Sequence, residues 1–208
     1  MEKGRVTARG AVARRARRIR LLVTDVDGVL TDGRMVLSER GDELKFFHSR
    51  DGVAVALANR GGLRTAFVTG EKSPVAQARA DKLGVGAVVL EARRKGEVLE
   101  DLCAQFGISL DASAYIGDDL LDVPALQRAG LAIAVADAPR EVTEVAHFVT
   151  RARGGQGALR ECVELILRAQ GAWTATVEAY VTEHGGRPRR ASRRTIGAFP
   201  REHGGHAP

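Results

Sequence analysis

The sequence is poor in cysteine, poor in aromatic residues and without a long apolar run. Cys103 and Cys162, the two cysteines among 208 residues, both fall in apolar helical patterns and cannot supply a disulfide framework. That usage fits a reducing compartment, and a cytoplasmic location is expected. No run of about 18 apolar residues occurs, so no membrane-spanning helix is expected. The Arg-rich start is not followed by the apolar stretch and small-residue cleavage site of a secretion signal. Aromatic side chains make up 4% of the chain and do not interleave with its arginines, which argues against the stacking platforms of single-strand nucleic-acid binders.

The net charge of +6 and a pI near 9.9 would suggest a polyanionic partner. The charge is not spread evenly. Residues 1–20 hold eight basic and one acidic residue, and residues 171–208 hold six and three. The stretch between them holds 18 basic and 22 acidic residues, a net of −4. The basic character therefore belongs to the ends. A hydrophobic content of 44% is enough for one sizeable core.

From Ile19 onward short apolar runs alternate with helical patterns, the signature of a parallel sheet covered on both faces. Strands are expected over 19–26, 63–68, 85–90, 113–116, 131–135 and 147–149. Helices are expected over 52–59, from the Ser73-Pro74 start to Gly84, and over 96–106, 123–129, 139–146 and 158–169. Residues 34–49 break the alternation and read as a β-hairpin around a glycine turn. Trp173 and Tyr180 fall in a weakly helical stretch, beyond which Gly, Pro, Arg and His dominate. The expected organisation is a basic extension over 1–18, one domain over 19–170 and a disordered tail over 171–208.

In an open parallel sheet, reactive groups collect where strands end. The first strand ends in Asp25-Val26-Asp27-Gly28, the second in Thr69-Gly70, and a later one in Gly117-Asp118-Asp119, with Asp122 three residues on. Lys95 opens a helix, where a cation is unfavourable against the dipole unless an anion lies nearby. Carboxylates from two strand ends suit Mg²⁺, a hard ion that keeps waters and leaves room for a phosphate oxygen. A carboxylate beside that ion can attack phosphorus, while a neighbouring acid protonates the leaving alcohol and then activates water. A Thr hydroxyl, backbone N–H groups and a Lys ammonium can hold the phosphoryl oxygens. Asp25, Asp27, Thr69, Lys95 and Asp118 match these roles.

The segments DVDGVLTDG, VTGEKS, the following Lys95 and GDDLLD resemble, in that order, the motifs of the haloacid dehalogenase-like phosphatases. The hairpin, the FHSRDG segment and GGQGALRE narrow the resemblance to a cap-less branch acting on phosphorylated sugar acids. The resemblance implies a Rossmann-like three-layer α/β fold without a cap domain, with the hairpin inserted after the first strand. It implies Asp25 as nucleophile, Asp27 as general acid/base, and Thr69 and Lys95 on the phosphate. It also implies Mg²⁺ held by the Asp25 side chain, the Asp27 backbone carbonyl and Asp118, with Asp119 and Asp122 nearby, orienting water ligands or Lys95.

The substrate implied is a sugar phosphate of lipopolysaccharide biosynthesis, 3-deoxy-D-manno-octulosonate 8-phosphate. The alternatives are a nonulosonate 9-phosphate, or a catalytically idle domain that binds a sugar nucleotide enzyme. Arg50, Gly70 and Arg160 are the candidate substrate-binding residues, the arginines because guanidinium grips carboxylate or phosphate bidentately. A homotetramer in which neighbours cover each site is also implied, through pairing of hairpins. Neither a membrane nor a nucleic-acid partner is expected. Glu71 departs from the branch, where arginine is usual, and an acid there repels an anion unless its side chain points away.

Overall fold

The computed structural model describes residues 10–39 and 43–187. Six strands form one sheet: β1 (Leu21–Asp25), β4 (Arg64–Val68), β5 (Ala87–Val89), β6 (Ser113–Gly117), β7 (Leu131–Ala134) and β8 (Phe148–Val149). Their order is β5-β4-β1-β6-β7-β8, and every neighbouring pair is parallel. β1 is buried throughout, which is why its sequence is continuously apolar up to Thr24 and Asp25 instead of alternating. Its side chains still divide by period two, with Leu22 on one face and Leu21 and Val23 on the other.

The first face is covered by α2 (Ser49–Arg60), α3 (Pro74–Leu83) and α7 (Ala158–Ala169). The second is covered by α4 (Lys95–Phe106), α5 (Val123–Arg128) and α6 (Arg140–Val145). Leu159, Cys162, Val163, Ile166 and Leu167 of α7 are fully buried, each large aliphatic contributing about 1.5–3 kcal/mol of transfer free energy. No helix among the described residues is long and apolar enough to cross a membrane.

The chain runs outward from β1 through β4 to β5, then returns to the other side of β1 with β6. That reversal puts the topological switch point at the carboxyl ends of β1 and β6, the usual crevice of such sheets. The hairpin after β1 is a separate antiparallel ribbon, β2 (Val36–Leu37) with β3 (Glu43–Leu44). It is shorter than the expected 34–49 extent, and the expected turn at 40–42 lies outside the described residues. Met35, Val36, Leu37, Leu44 and Phe46 on it are exposed, Phe46 by 73%.

Both ends of the 19–170 unit need extending. Residues 10–16 form a helix (α1) whose Ala16 is fully buried in the core. Arg15 donates to the Gly130 carbonyl at 2.8 Å, so part of the basic extension is built into the fold. Beyond 170, helix α8 (Trp173–Glu183) packs Trp173, Val177 and Tyr180 against the core, where a disordered tail was expected. The Arg160 and Arg168 guanidinium groups stack on the Trp173 ring at 5.0 and 5.1 Å, and Arg60 lies over Tyr180. Hydropathy periodicity does not register cation–π packing, so the stretch reads as only weakly helical. Residues 1–9 and 188–208 lie outside the described part.

Candidate active site

Asp25 is the last residue of β1, and its side chain is buried at the switch point. Two residues on, Asp27 leaves the strand end and stays partly exposed. Gly28 then turns the chain with φ of +91°, a value that disfavours side chains. A Cβ at Gly28 would lie 1.9 Å from Asp118 Oδ2, so this glycine is what admits Asp118 to the crevice. Asp118 follows the end of β6, placing carboxylates from two adjacent strands together.

Lys95 stands at the first turn of α4, with 3% of its side chain exposed. Its ammonium lies 2.7 Å from Asp122 Oδ1 and 2.9 Å from Asp25 Oδ1. The second contact is an ion pair without hydrogen-bond alignment, and Asp25 Oδ1 has no well-formed donor. Asp122 is the opposite case. Its Oδ1 accepts from Lys95 and from the Tyr115 hydroxyl at 2.8 Å, and its Oδ2 accepts from the Asp118 and Asp119 backbone N–H groups at 2.9 and 3.3 Å.

Oxygen atoms of Asp25, Asp118 and Asp122 lie within 4.8 Å of one another, a separation suited to a metal ion. Four donors already occupy Asp122, so we regard it as a post that orients Lys95 and the Asp118 loop rather than as a ligand. Asp118 Oδ1 is buried with no hydrogen-bond partner and Asp25 Oδ1 has only the misaligned Lys95 ammonium, an arrangement that costs free energy unless a further cation completes it. Burial first, and then the Asp122 charge, push the Asp25 carboxyl up to about 7. Burial and the Asp25 and Asp122 charges also hold Asp118 well above the ordinary carboxylate range. The residues therefore fit a hard divalent cation through oxygen. The Asp27 carbonyl receives no backbone hydrogen bond among the described residues, so it is free to join them.

Asp27 is held on both carboxylate oxygens. Thr69, just after β4, donates to Oδ2 at 3.1 Å, and the Lys45 ammonium lies 2.5 Å from Oδ1. Thr69 also accepts from the Glu71 backbone N–H at 3.1 Å, which shapes the turn at Gly70. No heavy atom lies within 4 Å of the Cβ position of Gly70, leaving room for a ligand over its backbone. The Glu71 side chain is exposed beside the hairpin residues Met35, Leu37 and Glu43.

Asp25, Asp27, Thr69, Lys95 and Asp118 are thus brought together at one end of the sheet. Arg50 and Arg160 are not among them. They line a separate groove of about 610 Å³ with Arg151, Gln156, Glu164 and Arg168, and Arg160 is engaged by Trp173 and, at 4.0 Å, by Glu164. The sequence reading missed Lys45, Glu43 and Tyr115. Glu43 and Lys45 alternate across Leu44, the period-two spacing that puts two polar side chains on one face of a strand. That signal was legible, whereas the Tyr115 contact is purely tertiary.

A parallel sheet whose switch point gathers two strand-end acids, a second aspartate two residues after the first, a threonine and a lysine defines an acid-rich phosphoryl-transfer site. Residues 75–159 match the haloacid dehalogenase-like hydrolase family. The 3-deoxy-D-manno-octulosonate 8-phosphate phosphatase KdsC of Escherichia coli K12 is 40% identical over 160 residues, covering 77% of this chain and 85% of the relative. The chain therefore belongs to the haloacid dehalogenase-like hydrolases.

Solved structures agree. A subfamily III A hydrolase of that superfamily from Legionella pneumophila superposes with a TM-score of 0.83 at 35% identity, covering 86% of this chain and 98% of that one. A 3-deoxy-D-manno-octulosonate 8-phosphate phosphatase from Moraxella catarrhalis, in complex with magnesium, phosphate and the sugar acid, gives 0.79 at 35% identity, covering 81% and 97%.

Proposed function

We propose that the protein is a cytoplasmic, homotetrameric Mg²⁺-dependent phosphatase that hydrolyses 3-deoxy-D-manno-octulosonate 8-phosphate. The observation that carries the chemistry is a pair of buried acid oxygens short of donors: Asp118 Oδ1 has none, and Asp25 Oδ1 has only the misaligned Lys95 ammonium at 2.9 Å. They call for a cation at the place where Lys95, Thr69 and Asp27 converge. The named relatives support the substrate.

Bound Mg²⁺ supplies charge neutralisation between the carboxylates and the phosphoryl oxygens. Asp25 attacks phosphorus, the P–O bond to the sugar breaks, and the departing alkoxide takes a proton from Asp27. Asp27, now a carboxylate, takes a proton from water as that water attacks phosphorus, which releases Asp25 and inorganic phosphate. Lys95 holds a phosphoryl oxygen, the Thr69 hydroxyl turns from Asp27 Oδ2 to another when the phosphate arrives, and the open backbone at Gly70 offers a further donor.

Arg50 and Arg160 line a groove apart from Asp25. A grip on the substrate carboxylate from these arginines requires the groove to face another subunit's site, as in a tetramer. The exposed apolar hairpin side chains support such assembly.

The rival substrate is a nonulosonate 9-phosphate, and the exposed side chain of Glu71 does not separate the two. Phosphate release from both sugar phosphates, with and without Mg²⁺, decides between them. Turnover is expected only with Mg²⁺, and Asp25→Asn is expected to abolish it while leaving the fold intact. Mg²⁺-independent turnover, or activity retained by Asp25→Asn, would overturn the reading.

A further inference from the structure

The hairpin reaches the catalytic crevice through one side chain. Lys45 has 1% of its side chain exposed, and a buried lysine is rare unless charges of opposite sign meet it. Two do. Its ammonium lies 2.5 Å from Asp27 Oδ1 and 2.7 Å from Glu43 Oε1. Glu43 Oε2 in turn accepts from the Ser73 hydroxyl at 2.6 Å, and that hydroxyl accepts from the Ala76 N–H as the cap of α3. A continuous polar chain thus runs from the start of α3 through the hairpin to Asp27.

A carboxylate on a short side chain turns freely about its last torsion, which is broad and roughly two-fold. An acid/base must keep one oxygen aimed at the atom that gives or takes its proton. Here the ammonium holds Oδ1, and Oδ2 carries only the Thr69 hydroxyl among the described residues.

We propose that Lys45 is a positioning residue for Asp27, fixing Oδ1 so that Oδ2 is the oxygen that exchanges the proton. Through it, the acid/base step depends on a docked hairpin. The proposal rests on the reading of Asp27 as general acid/base. Glu43 and Ser73 form the buttress, since without Glu43 the ammonium would be held by Asp27 alone.

The test exploits the leaving group. Departure of an alkoxide needs a proton from Asp27, whereas p-nitrophenolate leaves without one. Values of kcat/KM report the first chemical step and are compared for p-nitrophenyl phosphate and for the sugar phosphate turned over fastest. Lys45→Met keeps the stem and removes the ammonium. It is expected to lower kcat/KM about 30-fold on the sugar phosphate and less than about three-fold on p-nitrophenyl phosphate, the scale of a misaligned catalytic group. Lys45→Arg is expected to recover most of the loss. Glu43→Gln leaves the ammonium in place and is expected to show the same selectivity at about three-fold, which keeps the test decisive where Lys45→Met does not fold.

Equal losses on both substrates, or none, would overturn the proposal, because a merely structural or phosphate-binding lysine affects both alike. Asp27→Asn separates the two readings. If it shows the leaving-group selectivity and the Lys45 variants do not, only the Lys45 proposal fails. If it shows none, the acid/base reading and the Lys45 proposal fall together.

Discussion

Asp122→Asn is the sharpest perturbation of the site that leaves its shape unchanged. The carboxylate accepts from Lys95 at 2.7 Å and Tyr115 at 2.8 Å on one oxygen, and from two backbone N–H groups on the other. An amide has one oxygen, so in either orientation its NH₂ faces two donors. Removing one partner of a buried, hydrogen-bonded ion pair costs about 3–5 kcal/mol. A term of opposite sign offsets part of this, because the Asp122 charge helps to push up the Asp25 and Asp118 carboxyls. That relief is the smaller effect. Burial, not Asp122, is the first cause of the rise at both carboxyls.

A net loss of about 3 kcal/mol corresponds to a Tm decrease of about 6–12 °C for a chain of this size. Lys95 also loses one of its two anchors, and kcat is expected to fall about 10- to 100-fold. Calorimetry without metal, together with a phosphate-release assay at saturating Mg²⁺, reads both quantities. Tyr115→Phe deletes one donor at little steric cost and should destabilise by about 1 kcal/mol alone. In the Asp122→Asn background it should cost less, since the hydroxyl then faces either an amide oxygen, a weaker acceptor than a carboxylate, or the NH₂. A Tm shift below about 2 °C with kcat within two-fold would refute the view of Asp122 as the post that holds Lys95.

Two further predictions concern other parts of the molecule. Gly28→Ala forces a side chain onto a residue at φ of +91° with its Cβ 1.9 Å from Asp118 Oδ2. The Mg²⁺ concentration for half-maximal turnover should rise at least about ten-fold as Asp118 is displaced, and a value within two-fold of the parent would count against Asp118 as a ligand. Asp51 sits buried at the start of α2, accepting from the Arg160 N–H at 2.9 Å through Oδ1 while Oδ2 has no partner. Burial pushes its carboxyl from 3.8 up to about 6. The native state therefore binds more protons than the unfolded chain between those values, and its stability falls as pH rises from about 4 to about 6. Asp51→Asn removes that slope. Relative to the parent, the variant should gain about 2–3 kcal/mol in urea unfolding between pH 4 and pH 7, and a constant difference would refute the assignment.

What the sequence makes legible here follows from the range of the interactions. β1 and β6 are visible as apolar runs because both faces of each are covered, and their terminal acids are visible because they interrupt those runs. Chain order alone then puts Asp25 and Asp118 at neighbouring strand ends once the sheet reverses at β1. The hairpin could be read as a hairpin, but its role could not. Lys45 meets Asp27 across 18 residues and Tyr115 meets Asp122 across a turn, through tertiary geometry that no period encodes. The placement of the arginines is out of reach for the same reason. Arg50 and Arg160 have the chemistry to grip an anion, but in α7 Arg160 is drawn to Trp173, a residue whose helix reads as tail. The same cation–π contacts that hide α8 from a hydropathy pattern thus also hold an arginine in a groove apart from Asp25 within the subunit. In a chain with so few aromatic residues, one tryptophan stacked by two arginines carries the packed helices past residue 170 and engages two guanidinium groups.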